Sequence, residues 1–123
     1  MDYKYFKESE LKCSMTGECV MDPIFMKKVE ELREEFGHPM FINSAYRHPT
    51  RHPVEARKIA STGWHPKGRA LDVALSGHLA YKFIKLAMAR GFSCGVCQHG
   101  EWKKRFVHID DRPGDPVIWT YAK

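Results

Sequence analysis

His65 and Asp72 stand seven positions apart, with a Pro66-x-Gly68 turn after the histidine and an alternating segment, Arg69 to Leu75, around the aspartate. An imidazole at a loop edge and a carboxylate on a strand supply two of the ligands a metal ion needs. The third is His108, in Arg105-Phe106-Val107-His108-Ile109-Asp110. Alternation there puts Phe106, His108 and Asp110 on one strand face, with Val107 and Ile109 buried on the other. If the two strands are neighbours, Asp72 and His108 project from the same face and His65 closes over them from its loop. Two histidines and one carboxylate, with a fourth position open to water, make a catalytic zinc set; a closed structural site uses four protein ligands, usually with thiolates. Such an ion polarises a carbonyl and lowers the pKa of its water to around 7. Taken singly each residue has a plainer reading, and Asp72 alone would simply pair with Arg69. The combination of turn, spacing and strand faces points to a metal.

The elements that must position these residues are legible along the chain. Asp72 shares its strand face with Ala70 and Ala74, which leaves room above the carboxylate, while Leu71 and Val73 point the other way. Asp22-Pro23 starts a helix as N-cap and first helical residue, with Ile24, Phe25, Val29, Leu32 and Phe36 inward and Gly37 ending it. Ser76-Gly77 starts a second helix, with Ala80, Phe83, Ile84, Ala87 and Met88 inward and Gly91 at its end. Strands are expected over Pro39 to Tyr46, Phe92 to Cys97 and Val117 to Tyr121. Tyr3 to Lys12 reads as an arm docking its aromatic side chains. From His48 to Trp64 a long loop crosses the front of the domain, with a short helical run from Val54 to Lys58 and then Ser61-Thr62-Gly63; loops of that length in compact domains tend to be functional. These elements predict an α+β fold, a small antiparallel sheet with two main helices packed on it.

Composition bounds the reading. With 123 residues, 43% hydrophobic and 28% charged, the chain is expected to form a single folded domain over residues 1–123. No segment approaches the roughly 18 apolar residues of a membrane span. The first residues lack the apolar core of a secretory signal, so export, if any, is expected to use another route. A net charge of +5 favours an anionic partner, cell-wall polymer or nucleic acid. The basic residues are scattered apart from Lys103-Lys104-Arg105, and no aromatic side chains interleave a basic stripe, which argues against nucleic acid. Cys13 and Cys19 fall outside zinc-knuckle spacing, whereas Cys94 and Cys97 have it. The default is four reduced thiols, with a second, structural zinc as the alternative.

Three motifs in order, Ser44-Ala45-Tyr46-Arg47, His65-x-x-Gly68-Arg69-Ala70-x-Asp72 and Phe106-Val107-His108-Ile109-Asp110, with Trp119 after them, resemble the zinc D-Ala-D-Ala carboxypeptidases and L-Ala-D-Glu-type peptidases of peptidoglycan. That family shares its fold with the hedgehog signalling domain, and the stretch from His48 to Lys58 resembles its compact, phage-encoded branch. The resemblance implies His65, Asp72 and His108 as zinc ligands, a peptidoglycan stem peptide as substrate, and phage lysis or wall remodelling as the setting, the protein reaching the wall by release or on a virion. It implies Arg47 as the residue that positions substrate or stabilises charge on the scissile carbonyl; otherwise Arg47 would pair with a carboxylate. The chain departs from the family pattern at Arg105, three positions before His108, where many members carry the acidic general base. Hydrolysis needs such a group, because the water must lose a proton and the leaving amine must gain one. Glu101, seven positions before His108, is the first candidate, with Glu55 and Asp111 as alternatives and a solvated turn as the plain reading of Glu101. His48, His52 and His99 are groove or surface residues. A zinc-binding structural or wall-recognition module of a virion, without a base, is the alternative function.

Overall fold

The computed structural model describes residues 3–57 and 63–121. Lys58, at the end of the expected helical run, and Ser61-Thr62 lie outside the described residues. Among the described residues, four α-helices, α1 (Glu8–Leu11), α2 (Pro23–Phe36), α3 (Pro53–Ala56) and α4 (Gly77–Ala89), accompany five strands: β1 (Phe41–Ser44), β2 (Ala70–Ala74), β3 (Ser93–Cys97), β4 (Phe106–Asp110) and β5 (Ile118–Thr120). The sheet order is β1-β2-β4-β3-β5. The first four strands pair antiparallel, as expected of this α+β fold, and β5 adds to the β3 edge in parallel.

The sheet is two-sided because β2 and β4 alternate. Leu71 and Val73 on β2, and Val107 and Ile109 on β4, are fully buried and join Phe25, Val29, Leu32 and Phe36 of α2 and Phe83 and Ala87 of α4 in one apolar cluster. Edge-to-face contacts tie the helices together, with Phe36 and Phe83 ring centroids 5.2 Å apart. Opposite residues of an antiparallel ladder share a face, so the register Ala70↔Asp110, Asp72↔His108 and Ala74↔Phe106 puts the polar set on the other side. Two side chains expected inward turn out: Ile24 is 67% exposed and Met88 is 48% exposed. In α2 the fully buried stripe runs through Phe25, Met26, Val29, Leu32 and Phe36, which leaves Ile24 on the outer side of the first turn. In α4, Ala80, Phe83 and Ala87 already fill the contact and Ile84 is half-buried.

Helix α2 also fixes the turn that carries His65. The Asp22 side chain caps the helix by accepting from the Phe25 amide at 2.8 Å, as its position before Pro23 predicts. The backbone N–H of Asp22 donates to the Gly68 carbonyl at 2.9 Å, so the N-terminus of α2 is bonded to the end of the 3-10 turn His65–Lys67. Gly68 has φ +68°, and a Cβ there would lie 2.1 Å from the Val20 carbonyl oxygen. Only glycine allows both the left-handed backbone and the close approach. Gly68→Ala is therefore expected to destabilise the protein by on the order of 2–4 kcal/mol in denaturant unfolding. A change below about 0.5 kcal/mol, the ordinary scale of a surface substitution, would show that this contact does not hold the turn.

Candidate metal centre

Three elements bring His65, Asp72 and His108 together. Asp72 and His108 are cross-strand partners on β2 and β4, and His65 opens the 3-10 turn just before β2. All three are buried, and one ligand atom from each lies within 4.8 Å of the others. Asp72 Oδ1 sits 2.9 Å from His108 Nδ1 and 3.3 Å from His65 Nε2. Asp72 Oδ2 accepts from Arg47 Nη2 at 3.2 Å. Burial alone would raise the pKa of this carboxyl, but hydrogen bonds from His108 and His65 hold it far below the usual carboxylate range.

The outer contacts of the imidazoles decide which nitrogens face inward. His65 Nδ1 lies 2.6 Å from the Ala45 carbonyl oxygen, which can only accept, so Nδ1 donates there and Nε2 is the nitrogen turned toward the cluster. His108 Nε2 lies 2.7 Å from Asp110 Oδ2, leaving Nδ1 to face Asp72. Burial would lower the His108 pKa, yet the carboxylates of Asp110 and Asp72 raise it. Asp110 is wholly buried, and its pKa falls to about 2 because bonds from Arg112 and His108 outweigh burial. Two imidazole nitrogens and one carboxylate oxygen converging from a buried floor suit zinc in kind and number, and the outer partners fix each ring as metal-bound histidines require.

The cluster floors a cleft of about 390 Å³, with Trp64, Phe106, Trp119 and Tyr121 among its walls and Arg47 and Arg112 at its sides. A larger hollow of about 680 Å³ lies between the N-terminal arm and α2, but its ionisable lining is Tyr3, Tyr5, lysines, glutamates and Arg90, with neither His65 nor His108. Trp119 reaches the cleft because it stands opposite Gly95, where a Cβ would come within 2.6 Å of its ring. Its ring centroid lies 5.2 Å from that of His108.

The remaining residues singled out from the sequence fall in different places. Arg47 lines the cleft and donates to Ser44 Oγ at 2.9 Å and to Glu55 Oε2 at 3.3 Å as well as to Asp72, so the expected carboxylate partner and the cleft position coexist. Glu55, on α3, is 3% exposed and sits behind Arg47. Glu101 is exposed ahead of the turn Trp102–Lys104, its carboxylate 4.0 Å from Lys103 Nζ, outside the cleft lining. Asp111 is held by Arg69 Nε at 2.7 Å and Lys28 Nζ at 3.2 Å; this is where Arg69 finds its carboxylate, in place of Asp72. Arg105 stacks on Trp102 and donates to the Gly100 carbonyl. His48 and His52 accept backbone N–H bonds in their own loop, and His99 approaches the Tyr121 carbonyl. All four cysteines are free, and Cys94 and Cys97, three apart on one strand, point to opposite faces of the sheet. Their C-x-x-C spacing thus makes no ligand pair, and among the described residues His65, Asp72 and His108 form the metal-capable group. Arg112 and Tyr121 were not singled out from the sequence. The period-two pattern that runs through His108 and Asp110 continues to Arg112 and was the available signal.

A family model described as peptidase M15 matches residues 4–110, a span that contains Arg47 and all three cluster residues and ends at Asp110. No curated protein matches the chain. In calorimetric titration the metal-free protein should take up one equivalent of zinc. His65→Ala, Asp72→Ala and His108→Ala should each weaken binding by more than about 100-fold, beyond what loss of an outer partner causes, while Cys97→Ser should leave it unchanged. Retention of wild-type affinity in all three ligand variants would remove the metal from this cluster.

Proposed function

The chain belongs to the peptidase M15 family, whose members are zinc-dependent peptidases, and from that premise we propose that it hydrolyses an amide bond in peptidoglycan stem peptides. The observation that carries the proposal is the convergence of His65, Asp72 and His108 on the floor of an open cleft with Arg47 beside them. The reaction is either removal of the terminal residue of a D-Ala-D-Ala stem or cleavage at an L-Ala-D-Glu-type bond, and the setting is phage lysis or wall remodelling. The net charge of +5 suits an anionic wall polymer.

Zinc bound by the three ligands would polarise the scissile carbonyl and acidify the attacking water. Arg47, anchored by Ser44 and Glu55, presents a fixed guanidinium at the cleft wall, where charge develops on the carbonyl oxygen as the amide carbon becomes tetrahedral. A proton acceptor completes the chemistry. Asp72 is the one carboxylate among the described lining residues and is occupied as a ligand. Glu55 follows Val54 of the cleft wall and touches Arg47; to take the proton from water and return it to the leaving amine, its buried carboxylate must reach past Arg47 into the cleft. Glu101 requires its exposed turn to fold over the cleft. Arg105 in place of the family's acid favours the second reading, a zinc-binding wall-recognition or virion module without turnover.

Zinc-loaded protein incubated with purified stem peptides should release D-Ala or split the stem, and chelator should stop it. Arg47→Ala should lower kcat by about 100- to 1,000-fold. Glu55→Gln should lower it by roughly 100-fold or more with zinc retained, while Glu101→Gln stays within about twofold; the opposite pattern assigns proton transfer to Glu101. A zinc-loaded protein that yields no product from any stem peptide yet is retained on wall material supports the recognition module.

A further inference from the structure

We propose that Arg112 is a positioning residue for the metal centre, acting through Asp110 to hold His108 in the tautomer and ring orientation that present Nδ1 to the ion. The inference rests on the reading of His65, Asp72 and His108 as the ligands and adds two residues to it, one of them beyond the span of the family match. An imidazole has two nitrogens, and rotation of the ring exchanges nitrogen and carbon at the metal-facing edge. His108 escapes this ambiguity only if something accepts from Nε2–H, and Asp110 Oδ2 does so at 2.7 Å. A fully buried carboxylate is costly unless it is itself paired. Arg112 supplies the pairing in fork geometry, Nε to Oδ1 at 2.8 Å and Nη2 to Oδ2 at 2.7 Å, with its backbone N–H on Oδ1 at 3.2 Å.

Arg112 is held in turn. Its Cζ lies 4.7 Å from the centroid of the Trp119 ring, and that ring occupies the space beside Gly95 that a side chain there would fill. Support therefore runs from Gly95 through Trp119 and Arg112 to Asp110 and ends on the ligand His108. The planar fork gives the chain of contacts its specificity; a lysine keeps the charge but makes a single-point contact with one carboxylate oxygen. Arg112 also lines the cleft, so a direct contact with an anionic substrate group is the competing role, and the two roles move different quantities.

Arg112→Gln, Arg112→Lys and Asp110→Asn are compared with wild type for zinc affinity, by competition with a chromophoric chelator, and for the water-exchange rate of the His108 Nε2 proton in histidine side-chain NMR of the zinc-loaded protein. Arg112→Gln is expected to weaken zinc binding by about 10- to 100-fold and to speed exchange of that proton. Arg112→Lys should recover part of both, with KM for a stem peptide unchanged. Zinc affinity within about twofold of wild type together with unchanged exchange would overturn the inference, on the scale set for outer-sphere partners; so would a rise in KM with zinc affinity intact, which assigns Arg112 to the substrate. Should Arg112→Gln not fold, the near-isosteric Asp110→Asn gives the same two readouts with the same expected and contrary results. A wild-type protein that binds zinc but cleaves no stem peptide would refute the substrate reading alone, because both readouts here are independent of turnover.

Discussion

The pairing of Asp72 with His108 across the β2–β4 ladder is the constraint around which the site is arranged. Two residues directly opposite in an antiparallel pair must share a face, so the register alone brings a carboxylate and an imidazole together above the sheet. Neither is comfortable when buried alone. Asp72 is stabilised as an anion by two imidazoles on one oxygen and the Arg47 guanidinium on the other, and His108 is clasped between Asp72 and Asp110. A slip of β2 by one residue against β4 would send Asp72 into the apolar core and leave His108 without its partner. The hydrophobic alternation that builds the core therefore also specifies the site.

His65 comes from the turn, and its placement depends on the other side of the molecule. The start of α2 is bonded to Gly68 and the Ala45 carbonyl accepts a hydrogen bond from His65 Nδ1, so the turn is held from the helix layer and from the chain leaving β1. Arg47, two residues after Ala45, arrives at the cleft by the same route, its backbone N–H donating to the His65 carbonyl at 3.4 Å. His65, the guanidinium and the helix cap thus form one connected unit. In a chain belonging to a family of zinc-dependent peptidases, such preorganisation is what a metal and a developing oxyanion need.

Much of this architecture is legible in the sequence because it rests on local rules. Asp22-Pro23 and Gly37 bound α2, and alternation assigns Asp72, His108 and Asp110 to one face and the valines and isoleucine to the other, since both signals depend only on nearest neighbours. What escapes depends on long-range contact. Met88 and Ile24 fit an apolar period but lie where no second layer covers them. Arg69 satisfies a carboxylate, yet Asp111 and not Asp72, because β4 ends beside it. Glu101 is near His108 in the chain and lies outside the cleft, whereas Glu55, far away in sequence, reaches Arg47 because α3 folds across the front. Arg112, not singled out from the sequence, becomes meaningful only when β5 joins β3 in parallel and brings the Trp119 indole over Gly95 and beside the guanidinium.

The chemical account turns on where the ion sits and which atoms hold it. The most direct measurement is an anomalous difference map, recorded at the zinc absorption edge, from crystals of the zinc-loaded protein. It should show one peak within about 2.0–2.2 Å of His65 Nε2, an Asp72 carboxylate oxygen and His108 Nδ1, with the remaining coordination position facing the cleft beside Arg47. A peak bound through His108 Nε2, a peak at the cysteines, or none at this cluster would contradict it.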